Sequence, residues 1–167
     1  MVDAAAIWDS RGWDTFFALG SFADAGSRTA EEVQNVKAFF VDLDIGDDPK
    51  KYVDVSEAIA GLRKFCKQLG LPKPTIVNSG YGVHVYWMLK EYVTKHDWSC
   101  AATQFKKVMA ENGLLADPAV TADCARVLRI PSTHNYKRDT PKEVTVVTQG
   151  DWVDFDSFVA KLGLDSI

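Results

Sequence analysis

The sequence predicts a mixed α/β (α+β) domain, and three observations support this fold class. Apolar residues recur at helical spacing in some segments and alternate as in strands in others, so helices and strands are interleaved. Two strand patterns, residues 74–78 and 82–90, are joined by a glycine-rich turn that is typical of an antiparallel hairpin. The chain has 167 residues, 47% of them hydrophobic, which suffices for one core. We therefore expect one domain over residues 1–167.

Local patterns place the elements of the first half of the chain. We expect a strand at residues 15–22, a short helix or turn at 28–36, an apolar strand at 39–46 and a polar loop at 46–54. Asp54 and Glu57 resemble a capping box at the start of an amphipathic helix over residues 55–69. Gly70 follows the last apolar position and predicts the end of that helix.

The second half begins with the hairpin and continues with less regular patterns. A second long amphipathic helix is predicted at residues 98–109, and Gly113 closes it. Residues 114–140 show no clean period and carry many polar side chains. The segments expected after them are a late strand at residues 143–148 and a final helix at residues 155–162.

Charge and cysteine usage narrow the possible functions. The net charge of −4 and the pI of about 5.3 argue against a DNA-binding protein that relies on one large basic patch. Three cysteines are scattered singly, which is typical of reduced thiols in a cytoplasmic protein. The N-terminal residues resemble neither a signal peptide nor a membrane span, so we expect no membrane partner. No exposed apolar stripe stands out, so we expect a monomer.

Two acidic residues lie within the most apolar strand pattern. Because strand side chains alternate between faces, Asp42 and Asp44 point the same way, while Phe39, Val41 and Leu43 point into a core. Neighbouring carboxylates repel, and a divalent cation is the usual partner of such a pair. Hard oxygen ligands suit Mg²⁺ or Mn²⁺, and a site for two such ions needs carboxylates that bridge them. The alternative is an acidic pair that faces solvent on a half-exposed strand.

A glycine-rich turn with a histidine forms the second motif, at residues 78–87. Alternation places Val83 and Val85 on one face of the following strand and His84 and Tyr86 on the other. Glycines beside a strand allow a ligand to approach the backbone closely. Ser79 and His84 are candidates for contact with a phosphate, the histidine either as a neutral donor or as a cation. The alternative is an ordinary hairpin with a hydrogen-bonded histidine.

An acidic residue followed by two arginines forms the third motif. Arginine side chains bind phosphate oxygens with two parallel hydrogen bonds, so Arg126 and Arg129 suggest a clamp for a triphosphate. The alternative is a surface loop whose arginines pair with neighbouring acids, namely Asp117, Asp123 and Asp139. Together the three motifs supply what phosphoryl or nucleotidyl transfer requires. The sequence contains no P-loop motif, which disfavours a P-loop ATPase.

The order of these motifs resembles the archaeo-eukaryotic primase superfamily, particularly the primase–polymerase domains of phage and plasmid replication proteins. Residues 40–44 resemble its apolar strand ending in D-x-D/E, residues 79–84 its small-residue–x–His motif, and residues 116–117 its apolar residue followed by aspartate. Residues 126–137 resemble its R-x-x-R-x-P-(G/S)-x-x-(N/H)-x-K run. Ser132 stands where many relatives have glycine.

The resemblance implies a template-directed nucleotidyltransferase with a two-lobed core, in which an antiparallel sheet like that of the RNA-recognition motif carries the catalytic acids. It implies that Asp42, Asp44 and Asp117 bind two divalent metals, Mg²⁺ or Mn²⁺, with Asp123 as the rival third acid. The implied nucleotide-binding residues are Ser79, Gly80, His84, Arg126 and Arg129. The template is expected along Lys137, Arg138 and Tyr81.

The implied partners are nucleoside triphosphates, a single-stranded DNA template and a replicative helicase in cis or in trans. The chain is then the catalytic part of, or a partner to, a larger replication protein. Two other functions stay open from the residues themselves. The D-x-D pair also occurs in metal-dependent nucleotide-sugar transferases and in nucleases, and a primase-like domain is also compatible with a DNA-binding module without enzymatic activity.

Overall fold

The computed structural model describes residues 2–24 and 26–164, and the following elements are those of the described residues. The helices are α1 (Val2–Asp9), α2 (Val55–Leu69), α3 (Lys95–Glu111) and α4 (Phe155–Lys161). The strands are β1 (Phe16–Ala18), β2 (Gly20–Phe22), β3 (Val33–Asp44), β4 (Thr75–Asn78), β5 (Gly82–Thr94), β6 (Val127–Arg129), β7 (His134–Asn135), β8 (Lys142–Glu143) and β9 (Thr145–Thr148). A short 3₁₀ helix at Ala30–Glu32 precedes β3.

A five-stranded antiparallel sheet in the order β2-β3-β5-β4-β9 forms the centre of the molecule. Its β3-α2-β4-β5-α3 segment places β5 between β3 and β4, which is the arrangement expected for a sheet like that of the RNA-recognition motif. Two small antiparallel pairs, β1-β6 and β7-β8, lie outside this sheet. The predicted mixed α/β fold with an antiparallel sheet is therefore confirmed.

The core lies between one face of this sheet and the helices. Phe39 is fully buried and stacks on Phe158 of α4, with ring centroids 4.5 Å apart. Phe105 of α3 meets the edge of Trp87 of β5 at 5.4 Å. The alternation predicted for β3 is present, because Phe39, Val41 and Leu43 are fully buried while Asp42 and Asp44 are partly exposed. The helices thus cover one face of β3 and leave its two acids on the other.

Helix α2 has the bounds that the sequence predicts. The Asp54 carboxylate accepts a hydrogen bond from the Glu57 backbone N–H at 2.8 Å, and Glu57 in turn accepts one from Val53 N–H at 2.7 Å. Gly70 ends the helix in the left-handed conformation, with φ +62°. These contacts confirm the predicted start and end, because a capping side chain and a C-terminal glycine satisfy backbone groups at the helix ends.

The N-terminal third of the chain differs from the prediction in several respects. The single strand expected at residues 15–22 is two strands in different sheets, β1 and β2. Gly20 permits this crossing, because a Cβ atom there would lie 2.8 Å from the Cys124 carbonyl oxygen. Strand β3 begins at Val33 rather than at residue 39. Helix α1 was not predicted, because its short apolar run shows no clear amphipathic period.

The predicted late strand is also interrupted. Residues 143–148 fall into β8 and β9, with the fully buried Val144 between them. Val144 accepts a hydrogen bond from Ser132 N–H and donates one to the Thr133 carbonyl, so this residue connects the two small strands to the loop after β6. Within residues 2–24 and 26–164, no helix combines the length and the apolar character that a membrane crossing requires.

Candidate active site

A cleft of about 190 Å³ opens where β3 ends and β5 begins, between the uncovered face of the main sheet and the segment around β6. Of the site residues predicted from sequence, those that line the cleft are Asp42, Asp44, Ser79, Tyr81, His84, Asp117, Arg126, Arg129 and Lys137. The other two, Gly80 and Arg138, line a neighbouring groove that Tyr81 shares. The fold therefore brings together residues that are up to 95 positions apart in sequence (Asp42 and Lys137).

The three predicted acids meet in this cleft. Asp42 and Asp44 end β3, and the Asp117 backbone N–H donates a hydrogen bond to the Asp42 carbonyl oxygen at 2.8 Å. The Asp117 side chain accepts a hydrogen bond from Ala119 N–H, which fixes the start of the following turn. The rival acid, Asp123, lies against the Arg126 guanidinium instead, at 3.2 Å. The geometry therefore favours Asp117 as the third acid.

The acids concentrate negative charge at this point. The pKa of Asp42 is raised to about 7, first by burial and then by the neighbouring charges of Asp44 and Asp117, while Arg126 and Lys137 partly offset the effect. The Lys51 ammonium group lies 3.5 Å from Asp44. Three neighbouring carboxylates supply the hard oxygen ligands that a divalent cation such as Mg²⁺ prefers.

The side chains as placed do not yet enclose an ion. Among the residues that the structure describes, no three His, Cys, Asp or Glu side chains form a group that could hold a metal. The oxygen ligands of Asp42, Asp44 and Asp117 are of the type that fits Mg²⁺ or Mn²⁺. Coordination of an ion requires these carboxylates to turn toward one another.

His84 faces Asp42 across the strand pair. The two residues are partners in the β3–β5 register, and His84 Nε2 lies 3.9 Å from an Asp42 oxygen. Burial lowers the pKa of His84 to about 4, and the charge of Arg129 contributes. The imidazole is therefore neutral at physiological pH and forms no ion pair with Asp42 despite the short distance. Of the two roles considered for His84, the neutral hydrogen-bonding group fits and the cation does not.

The turn between β4 and β5 is held by backbone contacts. Ser79 N–H donates to the Gly82 carbonyl at 3.0 Å, and Gly80 adopts φ +91°, where its N–H donates to the Asn78 side chain. Asn135, which is buried, donates from its amide to the Ser79 carbonyl at 2.6 Å. A Cβ atom at Gly82 would lie 3.1 Å from the Leu43 carbonyl oxygen, so the missing side chain allows β5 to approach β3 closely at this point.

The two arginines line the cleft, and each also lies against a carboxylate. Arg129 is buried, its Nη1 lies 3.2 Å from Asp14, and its guanidinium lies over the Phe16 ring at 4.8 Å. Arg126 donates from Nη2 to the Ala119 carbonyl at 3.0 Å. Although each arginine is close to a carboxylate, neither Arg129 Nη1 nor Arg126 Nε has a well-directed acceptor within the described part of the chain. A guanidinium group carries five N–H donors, so each arginine has donors besides those that face its carboxylate for an anionic ligand in the cleft.

Comparison with known proteins identifies the fold. No protein-family profile and no curated protein sequence matches the chain. Among solved structures, the AEP (archaeo-eukaryotic primase) domain of the cyanophage S-2L primase–polymerase matches with a TM-score of 0.71 and 19% identity, over 97% of this chain and 77% of that domain. The chain has the archaeo-eukaryotic primase fold.

A second solved structure has the primase fold at greater distance. It is the polymerase domain of Mycobacterium tuberculosis ligase D in complex with DNA, with a TM-score of 0.53 and 16% identity. The alignment covers 90% of this chain and 59% of that domain. The resemblance that the motif order predicts is therefore confirmed at the level of the fold. Two of the predicted acids, Asp42 and Asp44, lie on β3 of the sheet, and Asp117 lies in the loop after α3.

Two features of the cleft were not predicted from sequence. Asp14 and Phe16, which hold Arg129, come from a segment that carries none of the three motifs. Their contact with Arg129 spans more than a hundred residues, so no local pattern marks them. Asn135 belongs to the R-x-x-R run of the primase resemblance, and that membership was the one signal available for it.

Two of the residues predicted to bind template, Tyr81 and Arg138, form a cluster with Lys142 at the edge of the cleft. The Arg138 guanidinium and the Lys142 ammonium lie 4.5 Å and 4.4 Å from the centroid of the Tyr81 ring. The Tyr81 hydroxyl donates to the Thr140 carbonyl. The predicted role of Tyr81, Arg138 and Lys137 in template binding stays a prediction.

Proposed function

We propose that this chain is a template-directed nucleotidyltransferase of the primase–polymerase type, which joins nucleotides on a DNA template in phage or plasmid replication. The observation that carries the proposal is the hydrogen bond from Asp117 N–H to the Asp42 carbonyl, because it places three acids in the cleft that Arg126 and Arg129 also line. Acids and phosphate-binding cations in one cleft are the requirements of phosphoryl transfer. The primase fold is consistent with this chemistry.

The proposed reaction is an in-line displacement. The 3′ hydroxyl of the growing strand, or of a first nucleotide, attacks the α-phosphorus of the incoming nucleoside triphosphate. The new P–O bond forms as the bond to the β-phosphate breaks, so pyrophosphate leaves and the hydroxyl proton passes to solvent. Arg126 and Arg129 donate hydrogen bonds to phosphate oxygens, which holds the triphosphate in place and stabilises the charge of the leaving group.

Asp42, Asp44 and Asp117 are the residues that would hold Mg²⁺ or Mn²⁺. Bound there, these ions supply Lewis-acid stabilisation of the attacking and leaving oxygens. His84, which is neutral, and Ser79 at the turn offer hydrogen bonds to the nucleotide phosphates, and Gly80 shapes that turn. Gly82 lines the same cleft, where the absence of a side chain lets a ligand approach the backbone.

Template binding relies on local charge in this proposal, because the chain carries a net charge of −4. Lys137 lines the cleft, and Arg138 and Lys142 extend the positive surface along the neighbouring groove. Such a surface follows a phosphate backbone and makes binding dependent on salt. We propose a single-stranded DNA template there, a helicase in cis or in trans as partner, and a cytoplasmic location compatible with three free thiols.

A primer-extension assay tests the proposal and separates it from the alternatives. The chain is incubated with labelled nucleotides, a primed or unprimed template, and Mg²⁺ or Mn²⁺. Chain growth supports the proposal, strand cleavage identifies a nuclease, and DNA binding without either reaction identifies a non-enzymatic module. A nucleotide-sugar transferase leaves the template unchanged and shows transfer only when a nucleotide-sugar donor and an acceptor are supplied.

Two variants connect the activity to the cleft. Asp42→Asn and Asp117→Asn keep the size of each side chain and remove its charge, so we expect extension to fall by at least about a hundredfold while the fold persists. Asp151→Asn is the matched control, because Asp151 is exposed in the loop after β9. Near-normal extension by either cleft variant contradicts the assignment of the acids.

A further inference from the structure

Three exposed aromatic side chains lie side by side at the edge of the cleft, and none of them belongs to the motifs that carry the proposed function. Trp8 is 45% exposed, Trp13 is 62% exposed and Phe16 is 46% exposed. The Trp8 and Trp13 rings are neighbours, with centroids 5.7 Å apart. We call these three residues the aromatic track. Large aromatic surfaces of this kind on a folded domain mark interaction sites.

The aromatic track is continuous with the cleft. Trp8, Trp13 and Phe16 line a groove of about 290 Å³, and Phe16 also lines the cleft that contains Asp42. The Arg129 guanidinium lies over the Phe16 ring at 4.8 Å, so one end of the track adjoins a group assigned to phosphates. A ligand that leaves the cleft along Phe16 therefore reaches the two tryptophans next.

The charges around the track suit a polyanion. The Arg11 guanidinium lies 5.1 Å from the centroid of the Trp8 ring. The two acids closest in sequence both have basic partners, because Asp9 bonds to His134 and Asp14, which also lines the groove, pairs with Arg129. The surface of the track thus combines aromatic faces with one cation, which is the combination that binds single-stranded nucleic acid without sequence preference.

We propose that the aromatic track binds single-stranded DNA outside the cleft, with bases stacked on Trp8 and Trp13 and Arg11 at the backbone phosphates. This inference rests on the proposed function, because it extends the path of a template strand whose other end lies in the cleft. It assigns the N-terminal segment a role in holding the strand, separate from the Tyr81 and Arg138 cluster across the cleft.

The test measures affinity for single-stranded DNA directly. A fluorescein-labelled oligothymidylate is titrated with the intact chain, and fluorescence anisotropy gives the dissociation constant. Each of Trp8→Ala and Trp13→Ala is expected to weaken binding by about five- to a hundredfold, the range for loss of one stacked base. Trp8→Phe and Trp13→Phe retain an aromatic face and are expected to restore most of the affinity. Arg11→Ala is expected to reduce the dependence of binding on salt.

Trp152→Ala provides the matched control. Trp152 is similarly exposed, at 54%, and also lies beside a cation, Lys37, yet it does not line the cleft or the groove of the track. The control is expected to bind the oligonucleotide within about twofold of the unchanged chain. Far-ultraviolet circular dichroism checks that each variant keeps its fold.

The outcomes separate this inference from the proposed function. If Trp13→Ala and Trp8→Ala bind the oligonucleotide as tightly as Trp152→Ala does, the inference is overturned. The aromatic track is then a candidate surface for binding a protein partner. If that result is accompanied by normal primer extension, the proposed function stands without the inference. If the unchanged chain neither binds the oligonucleotide nor extends a primer, both fail. Selective weakening in the two alanine variants with rescue by phenylalanine supports the inference.

Discussion

At the scale of single residues, Asp42 shows how the candidate site opposes the stability of the fold. Its backbone belongs to the central strand, and its neighbours Val41 and Leu43 are fully buried. Its carboxylate lies beside Asp44 and Asp117, and burial together with these charges raises its pKa to about 7. A group arranged in this way is unfavourable for the folded chain alone and favourable for a bound cation.

The pH dependence of stability tests this arrangement. An acid whose pKa rises from 3.8 to about 7 on folding binds more protons in the native state between these values, so its contribution to stability falls as pH rises through this window. Asp42→Asn removes the ionisable group. We therefore expect the variant to be more stable than the parent at about pH 8, by an amount of up to about 4 kcal/mol, and to show no such gain below about pH 4.

Urea denaturation in the presence of a chelator measures this difference. Asp151→Asn is the control, since an exposed acid is expected to change the free energy of unfolding by less than about 0.5 kcal/mol at either pH. A stability gain for Asp42→Asn that is equal at both ends of the pH range would show that the ionisation of Asp42 is not its cause.

Ser132 is a second residue whose backbone explains a sequence feature. It stands where many proteins with the resembling motif have glycine, and its φ of +68° lies in the left-handed region. Glycine adopts this conformation without steric strain, whereas a residue with a Cβ atom does so at some cost. Ser132 therefore adopts the backbone conformation that glycine favours, and its N–H donates a hydrogen bond to the Val144 carbonyl.

At the scale of elements, the β4–β5 hairpin determines the position of the predicted nucleotide-binding turn. Its register pairs Val77 with His84, and on the other edge of β5 the register pairs His84 with Asp42. The hairpin was predicted from its glycines and its alternation, because both signals are local. Its contact with Asn135 and Lys142 was not predicted, because these residues come from a segment without a regular period.

Substitution of Gly80 tests this contact. A Cβ atom at Gly80 would lie 2.9 Å from Lys142 Cβ and 3.1 Å from Asn135 Cβ, on a backbone with φ +91°. Gly80→Ala therefore combines backbone strain with a steric clash, and we expect a loss of about 2–4 kcal/mol in the free energy of unfolding. Gly113→Ala is the matched control, because Gly113 has φ +69° and open space around its Cβ position.

The control separates strain from contact. Gly113→Ala is expected to cost about 1–2 kcal/mol from strain alone, and to leave the binding of a fluorescent nucleoside triphosphate unchanged. Gly80→Ala is expected to weaken that binding as well, because the Ser79 turn has to move away from the cleft. Equal effects of the two variants on both measurements would mean that the turn does not depend on its contact with Asn135.

At the scale of the whole molecule, the fold could be predicted where the determining contacts are local. Helix α2 and the β4–β5 hairpin follow from capping residues, glycines and apolar periods, and the structure contains them with nearly the predicted bounds. The three predicted acids also lie in one cleft, because the order of the motifs reflects the primase fold. The N-terminal segment could not be predicted, because its position depends on partners such as His134, which is 125 residues from Asp9.

That segment contacts residues 129–136, which adjoin the cleft. The Asp9 carboxylate accepts hydrogen bonds from His134, and Asp14 accepts one from Tyr136 N–H while its carboxylate lies 3.2 Å from Arg129. Both acids therefore hold the same late segment, but only Asp14 contacts an arginine of the cleft. A comparison of Asp9 and Asp14 therefore distinguishes a residue that stabilises the fold from a residue that positions an arginine of the cleft.

The pair of variants Asp14→Ala and Asp9→Ala makes this distinction. Each removes hydrogen bonds to the late segment, so each is expected to lower the free energy of unfolding by about 1–3 kcal/mol. Asp14→Ala also frees the Arg129 guanidinium, and we expect its affinity for a fluorescent nucleoside triphosphate to fall by about tenfold, whereas Asp9→Ala keeps the affinity of the parent. Asp14→Glu, which retains the carboxylate, is expected to recover part of the loss. If the two alanine variants reduce nucleotide affinity equally, Asp14 acts on stability alone, and the arginine needs no partner to face the cleft.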